Sequence, residues 1–203
     1  MGVLGGTFDP VHNGHLAAGD AAQKALQLDA MTLIPSHIPP HRHDPVRATS
    51  EQRYEMAVLA AAGRPGWSAS RIEVDRNGRS YTYDTLVELR QTVHGDWQFF
   101  FILGADAFAE IATWSRYPAV LDLAHFVVVS RPGITLDSLR ERVPSAFDRS
   151  SSAPTRVILL ESLTPDISST DIRRRVRAGE PLDGFVPDPV AAYIRQHRLY
   201  SGR

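Results

Sequence analysis

The stretch that decides the fold runs from residue 5 to residue 15 and reads GGTFDPVHNGH. A short apolar run at residues 3–6 leads into its turn, and residues 13–28, rich in Ala, Leu and Gln, follow it. A strand, a glycine-rich turn and a two-faced helix are therefore predicted in that order. In an open parallel sheet, such a turn lies at the carboxyl end of a strand, where ligands bind. Residues 5–15 thus predict an α/β fold and the place of its functional site.

The residue types in this stretch suit an anion. Gly5 and Gly6 allow the backbone to approach a phosphate closely, and the first turn of the helix supplies free N–H groups. His12 and His15 are three residues apart, so both imidazoles can face that anion and offset charge on a phosphate oxygen. The stretch lacks the lysine of a P-loop, the GxGxxG of a dinucleotide fold and the HExxH of a zinc protease. The alternative is a glycine turn followed by a capping histidine.

The rest of the chain alternates predicted strands and helices. Further strands are predicted at residues 31–35, 67–74, 98–103, 126–130 and 156–161. Further helices are predicted at residues 51–62, 82–93, 106–114, 118–123, 136–143, 169–178 and 189–197. Strands separated by helices predict a parallel sheet covered on both faces. We expect one doubly wound domain over residues 1–203.

Composition narrows the classes of protein that fit. Of 203 residues, 43% are hydrophobic and 22% charged, as in an ordinary globular domain. The absence of cysteine excludes disulfides, iron–sulfur clusters and thiolate zinc sites. The formal net charge of −1 argues against a nucleic-acid partner. No apolar run approaches the ~20 residues that cross a bilayer, so no membrane partner is expected, and we predict a soluble, cytoplasmic protein.

A second motif lies near the end of the chain. Residues 167–173 read ISSTDIR, and a helix is predicted to begin at Ser169. The hydroxyls of Ser169 and Thr170, together with Arg173, would suit a triphosphate at a helix N-terminus. The loop after the second strand carries His37, His41 and His43, which could instead form a metal cluster.

These motifs together resemble one enzyme family. Residues 5–15 resemble the HxGH signature of nucleotidyltransferases, and their full form resembles the GGTFDPxHxGH of the nicotinate-nucleotide adenylyltransferase family. Residues 167–173 resemble that family's ISSTxIR. Residues 34–42 (IPSHIPPHR), 80–86 (SYTYDTL) and 104–106 (GAD) resemble further family segments, as do Trp114 and the SRPG turn at residues 130–133.

The resemblance implies a Rossmann-like nucleotidyltransferase fold that transfers AMP from ATP to nicotinate mononucleotide. The products would be deamido-NAD and pyrophosphate, within NAD biosynthesis. The catalytic residues it implies are His12, His15 and Arg173. The ATP-binding residues it implies are Gly6, Thr7, Phe8, His12, His15, Gly104, Asp106, Ser169, Thr170 and Arg173. The residues it implies for the mononucleotide are Ser36, His37, His41, Arg42, Thr85, Trp114 and Arg131.

Mg²⁺ is the expected cofactor, bound mainly through the ATP phosphates and water, with no dedicated metal-binding residue. Two alternatives stay open. An adenylyltransferase acting on phosphopantetheine would share the HxGH and Ser/Thr/Arg motifs but would not explain SYTYDTL or Trp114. A catalytically silent nucleotide sensor would not need the intact His12, His15 and Arg173. The sequence also leaves a homo-oligomer open.

Overall fold

The structure is a computed structural model that describes residues 1–40, 45–130, 134–147, 156–162 and 164–202. One sheet of six strands, all parallel, forms its centre. The strands are β1 (Gly2–Gly6), β2 (Met31–Pro35), β3 (Trp67–Ala69), β4 (Phe100–Gly104), β5 (His125–Ser130) and β6 (Val157–Glu161). Their order is β3-β2-β1-β4-β5-β6, which confirms the predicted doubly wound α/β fold.

Helices connect the strands and cover both faces of the sheet. They are α1 (Asn13–Leu26), α2 (Ser50–Ala61), α3 (Thr82–Thr92), α4 (Ala105–Ala109), α5 (Leu136–Arg142), α6 (Ser169–Ala178) and α7 (Asp188–Gln196). Short 3-10 helices lie at Ile111–Thr113, Ala119–Asp122 and Pro144–Ala146. Among the described helices, none combines the length and apolar character that a membrane crossing requires.

Side chains of the central strands β1, β4 and β5 alternate between two hydrophobic cores, as the period of two in a strand requires. Leu4 belongs to the core packed by α1, α2, α6 and α7, whereas the adjacent Val3 belongs to the core packed by α3, α4 and α5. Ile102 and Phe101 of β4 divide in the same way. Burial on both faces explains why the central strands read as continuous apolar runs.

The position of the site follows from the strand order. From β1 the chain moves outward to β2 and β3, and then returns to β4 on the opposite side of β1. The connections after β1 and β4 therefore diverge, which opens a crevice at the carboxyl edge of the sheet.

The strand predicted at residues 67–74 is wrong in length, because β3 ends at Ala69. On the side of β2 that faces β3, Met31 donates its N–H to the carbonyl of Gly66, and the carbonyl of Leu33 accepts the N–H of Ser70. Pro35 is next on that side of β2, and it has no N–H with which to continue the ladder. Residues 70–75 consequently leave the sheet, and Glu73 lies in a turn rather than on a strand face.

Two helix predictions also need correction. The helix from residue 13 ends at Leu26 instead of residue 28, because Gln27 adopts the left-handed conformation of a C-cap. The helix predicted at residues 106–114 is divided into α4 and the 3-10 helix that precedes Trp114. Residues 49–52 (TSEQ) match the capping-box pattern, and Thr49 and Gln52 form that box in both directions at the start of α2.

Candidate active site

Phe8 and Gly6 fit closely together in the turn between β1 and α1. Phe8 is buried and has a φ of 50°, in the left-handed region that non-glycine residues rarely adopt. A Cβ at Gly6 would lie 2.9 Å from the Phe8 ring, so Gly6 must lack a side chain for this arrangement to form. The turn thus presents bare backbone at the carboxyl end of β1, as the sequence predicts for a phosphate site.

His12 and His15 cap the start of α1 reciprocally. Nδ1 of His12 accepts a hydrogen bond from the backbone N–H of His15 at 3.4 Å, and Nδ1 of His15 accepts one from the N–H of His12 at 3.2 Å. The two rings stack with centroids 3.6 Å apart. Because Nδ1 is an acceptor in both rings, a neutral imidazole at either position carries its proton on Nε2. The capping arrangement therefore leaves both Nε2–H groups as donors.

Both histidines are neutral at pH 7 in this environment. Burial lowers the pKa of His12 from 6.5 to about 4. Burial, reinforced by the neighbouring His12, holds the pKa of His15 well below its ordinary value. An arriving polyphosphate would act in the opposite direction, since negative charge favours the imidazolium form. The pair can thus donate hydrogen bonds to phosphate oxygens and take up positive charge as negative charge grows there.

Gly14 allows the two rings to stack. A Cβ at this position would lie 3.1 Å from Nδ1 and 3.2 Å from Cε1 of His12. Phe8 supports the other side of the pair, with its ring edge-on to His15 at 5.0 Å between centroids. The spacing of the HxGH motif is therefore a packing requirement as well as a chemical one.

The N-terminus of α6 packs directly against this turn. Oγ of Ser169 donates to the carbonyl of Pro10 at 2.9 Å. Arg173 is buried, and its Nη1 donates to the carbonyl of Asp9 at 2.7 Å while its Nη2 donates to Oγ1 of Thr170 at 3.1 Å. The structure therefore brings together the two motifs that the sequence separates by about 160 residues. It also adds a contact of Arg173 with the turn itself.

A cavity of about 330 Å³ lies beside the turn. Its walls come from the ends of β1 and β4, the loop after β2, the segment before α3, and the residues around Trp114. The lining residues are Gly5, Gly6, Thr7, Ser36, Pro39, Pro40, Glu73, Ser80, Tyr81, Thr82, Phe101, Leu103, Ala107, Trp114 and Ser115. Its volume is enough for a ring-bearing small molecule.

Trp114 and Ser36 lie in different walls of this cavity. The indole of Trp114 packs edge-on against Phe101, with centroids 6.0 Å apart, and also contributes to the lining. Oγ of Ser36 and Nδ1 of His37 are buried, and no protein group in the described part of the chain bonds them. Because buried polar groups rarely stay unsatisfied, these two atoms suit a ligand or ordered water.

Thr85, which the family resemblance assigns to the mononucleotide, is not among the residues that line the cavity. Its hydroxyl is fully buried and donates to Oε1 of Glu73 at 2.5 Å, while Nη2 of Arg76 donates to it at 2.7 Å. Glu73, rather than Thr85, reaches the lining. Burial raises the pKa of Glu73, and its hydrogen bonds to Thr85 and Ser80 and the charge of Arg76 oppose that rise.

A buried arginine joins three loops of the site. Arg53 of α2 is 1% exposed and donates to the carbonyls of Thr7, His37 and Ala48, at 2.7, 3.0 and 3.3 Å. Ser80 adds a cross-connection, because its Oγ accepts the N–H of His37 at 2.8 Å. The cavity wall that follows β2 is thereby fixed to the segment before α3 and to residues 5–15, which we call the phosphate turn.

The remaining predicted residues divide into two groups. Gly104 caps α4 and Asp106 lies exposed in its first turn, at the carboxyl edge of β4 beside β1. His41, Arg42 and Arg131 lie outside the described residues.

Sequence reasoning missed Asp9, Arg53, Glu73 and Tyr200. The sequence could have indicated Arg53, because it shares the apolar face of α2 with Met56, Ala57 and Ala60. A charged side chain on a buried face requires hydrogen-bond or ionic partners. Asp9 was visible within the glycine-rich stretch but had no predicted role. No local pattern marks Glu73 or Tyr200, since their partners are distant in sequence.

Known proteins are similar to this chain over most of its length. A family model described as cytidylyltransferase-like matches residues 3–175. Two curated relatives bear the name "Probable nicotinate-nucleotide adenylyltransferase". The relative from Moorella thermoacetica is 41% identical over 203 residues, which cover 100% of this chain and 92% of the relative. The relative from Roseiflexus is 44% identical over 200 residues, which cover 98% and 97%.

A solved structure has the same architecture. Plasmodium falciparum nicotinic acid mononucleotide adenylyltransferase complexed with NaAD matches with a TM-score of 0.75 at 17% identity, covering 100% of this chain and 97% of that one. At this identity the likeness bears on the fold alone.

Proposed function

The chain belongs to the nicotinate-nucleotide adenylyltransferase family, and we propose that it transfers AMP from ATP to nicotinate mononucleotide. The products are deamido-NAD and pyrophosphate, which places the reaction in NAD biosynthesis. The observation that carries this proposal is that two stacked, neutral imidazoles and a Trp-walled cavity meet at one edge of the sheet. The imidazole pair suits a polyphosphate, and the cavity suits an aromatic acceptor.

The reaction needs no nucleophile from the protein. An oxygen of the mononucleotide phosphate forms a bond to the α-phosphorus of ATP. The bond from that phosphorus to the oxygen bridging the β-phosphorus breaks, and pyrophosphate leaves with the electron pair. Catalysis then depends on alignment of the two phosphates and on stabilisation of the charge that spreads over them.

On the ATP side, we assign His12 and His15 to the phosphate oxygens through their Nε2–H donors. Their geometry supports this, because both Nδ1 atoms are committed to the helix cap. The backbone of Gly6, Thr7 and Phe8 would line the same phosphates. These donors are fixed before substrate arrives, so little reorganisation accompanies the reaction.

Ser169, Thr170 and Arg173 are assigned to the β- and γ-phosphates. Support comes from their position at the N-terminus of α6, against the turn that holds the histidines. A helix N-terminus favours negative charge, and arginine suits phosphate geometry. Gly104 and Asp106 at the adjoining strand end are assigned to the nucleotide as well.

On the acceptor side, we assign Trp114 to the pyridine ring and the loop after β2 to the rest of the mononucleotide. The unsatisfied Oγ of Ser36 and Nδ1 of His37 support a polar contact there. His41, Arg42 and Arg131 keep their predicted roles toward the mononucleotide. Thr85 is better assigned through Glu73, whose carboxyl it holds at the cavity wall.

Mg²⁺ is proposed as the companion of ATP. The imidazoles of His12 and His15 are poor ligands for Mg²⁺, which prefers oxygen ligands such as carboxylates, phosphates and water. The Asp9 carboxylate in the same turn already accepts hydrogen bonds from Arg47, Ala48 and Tyr200. The described part of the chain has no cluster of three or more His, Asp or Glu suited to a metal. The ion would therefore be held mainly by phosphate oxygens and water, and it would neutralise charge on them.

Because both substrates are charged, soluble nucleotides, we propose a cytoplasmic location.

Pyrophosphate release tests the proposal. Purified protein would be incubated with ATP and Mg²⁺ and, separately, with nicotinate mononucleotide, nicotinamide mononucleotide or phosphopantetheine. We expect release with nicotinate mononucleotide and formation of the deamido dinucleotide. Release with phosphopantetheine alone would assign the other adenylyltransferase activity, and ATP binding without release for any acceptor would indicate a nucleotide sensor.

A further inference from the structure

The C-terminal tail returns to the phosphate turn. After α7, Leu199 is buried in the core beside Ile194, and Tyr200 follows it. Arg198 and Tyr200 have φ values of 51° and 63°, both in the left-handed region. Such conformations are costly for residues with side chains and persist only where surrounding contacts fix them. The tail is thus held in a strained shape that places one tyrosine.

The partner of that tyrosine is Asp9. Oη of Tyr200 donates to Oδ1 of Asp9 at 3.0 Å, although the two residues are 191 positions apart. Burial raises the pKa of the Tyr200 hydroxyl, and the neighbouring Asp9 raises it further, so the phenol keeps its proton as a donor. Asp9 itself is 1% exposed, and a buried carboxylate needs several donors to be tolerated.

Asp9 collects those donors from three parts of the chain. Its Oδ1 also accepts the N–H of Ala48 at 3.0 Å, and its Oδ2 accepts the N–H of Arg47 at 3.0 Å. Nη1 of Arg173 donates to its main-chain carbonyl at 2.7 Å and lies 3.8 Å from Oδ2. The segment before α2, the N-terminus of α6 and the C-terminal tail therefore meet at one aspartate within the phosphate turn.

We propose that Tyr200 is a positioning residue for the ATP side of the site, acting through Asp9 on Arg173. By donating to Oδ1, the phenol shares in neutralising the carboxylate, and the guanidinium stays on the Asp9 carbonyl and Thr170. Without that donor, the carboxylate draws Nη1 of Arg173 across the 3.8 Å gap to Oδ2. The guanidinium then turns away from the place assigned to the β- and γ-phosphates. The inference rests on the proposed function, because it requires ATP as the ligand of this turn.

The test compares Tyr200→Phe with Tyr193→Phe. Phenylalanine removes one hydroxyl at nearly constant volume, and Tyr193 lies on α7 with its ring stacked on His197, away from Asp9. Calorimetric titration with ATP and Mg²⁺, and separately with nicotinate mononucleotide, would be done well below the melting temperature. Because Arg173 would be drawn away from the phosphates, we expect Tyr200→Phe to raise the Kd for ATP about 10-fold, the size of one hydrogen bond to a charged group. The Kd for the mononucleotide should not change, and Tyr193→Phe should resemble the wild type.

The route through Arg173 is tested by a double-mutant cycle. In an Arg173→Ala background, Tyr200→Phe should change the Kd for ATP by less than about twofold, because the residue through which it acts is gone. Equal effects in both backgrounds would overturn the inference. An unchanged Kd for ATP would also overturn it. So would weaker binding of both ligands together with a lower melting temperature, because that combination indicates a purely structural role.

A second variant guards against a folding defect. If Tyr200→Phe does not fold, the same change is made in an Asp9→Asn background, where no carboxylate is left to draw Arg173 away. There Tyr200→Phe should leave the Kd for ATP within about twofold of that of Asp9→Asn alone, and a larger change would overturn the inference. The binding readout separates this inference from the proposed function. Wild-type protein that binds ATP but releases no pyrophosphate would refute the function, and the comparison of ATP affinities would still decide the role of Tyr200.

Discussion

The phosphate turn and the acceptor cavity share one edge of the sheet but are built differently. In the turn, His12 and His15 satisfy each other's backbone N–H groups within four consecutive residues. The cavity instead takes its walls from segments between residue 5 and residue 115, joined by Arg53 and Ser80. The histidine pair is thus closed by local hydrogen bonds. The cavity is closed by contacts across the fold, as is the first half of the turn, where Arg53, Arg173 and Ser169 donate to the carbonyls of Thr7, Asp9 and Pro10.

The difference matters for the chemistry that each region performs. Charge changes at the transferring phosphates, so donors there must be fixed before the reaction. The acceptor ring does not change, and the cavity needs only shape, an aromatic face and a few polar atoms. We therefore expect substitutions in the turn to affect kcat and substitutions in the cavity to affect KM.

The largest effect is expected from His15→Ala. Removing one donor to a developing phosphate charge should lower kcat about 100- to 1000-fold, with a smaller change in the KM for ATP. Steady-state pyrophosphate release at saturating substrates would measure it. The exposed His94→Ala serves as the matched control. A His15→Ala enzyme that keeps half of the wild-type kcat would remove the catalytic role and erase the contrast between the two regions.

A smaller effect, confined to the cavity, is expected from Trp114→Ala. Loss of the indole face should raise the KM for nicotinate mononucleotide about 10-fold, the size of one aromatic stacking contact, and leave the KM for ATP unchanged. Trp114→Phe should restore most of the affinity because it keeps an aromatic face. Trp97→Ala, at a tryptophan that is 39% exposed, is the control. Unchanged KM values in Trp114→Ala would mean that the tryptophan only supports Phe101.

The last effect concerns the pH dependence of stability rather than catalysis. His12 is buried neutral, with its pKa lowered to about 4, whereas in the unfolded chain it has its ordinary value near 6.5. Between these values the unfolded state binds more protons, so its contribution to stability is complete above pH 6.5 and is lost as the pH falls toward 4. The loss from this residue at pH 4.5 should be roughly 2 kcal/mol.

Denaturant unfolding of His12→Asn from pH 7 to pH 4.5 would measure this loss. Asparagine keeps a good N-cap acceptor but does not titrate, so the variant should lose less stability than the wild type on acidification. His94→Asn should follow the wild-type curve. Identical slopes for His12→Asn and the wild type would show that His12 is not buried as a neutral ring.

The sequence predicted the phosphate turn better than the acceptor cavity. The turn was predictable, since its glycines, its cap and its histidine pair all fall within residues 5–15. For α6, the sequence predicted that both motifs suit phosphates, but it did not predict that α6 packs against the turn. Thr85 was assigned to the cavity from its motif, but the structure turns its hydroxyl to Glu73. The limits of β3 were missed, because its ladder with β2 ends at the pair Leu33–Ala69, short of Pro35, which has no N–H to continue it.

By itself, the sequence determined the order of strands and helices, the cap of α2 and the anion-binding character of residues 5–15. These depend on side-chain period, on glycine and proline, and on hydrogen bonds between residues three or four apart, all of which are local. Only the tertiary structure decided what Asp9, Arg53, Glu73 and Tyr200 contact. Each is a polar group that the packed interior deprives of water, and its partners are the groups that the fold brings close from other parts of the chain.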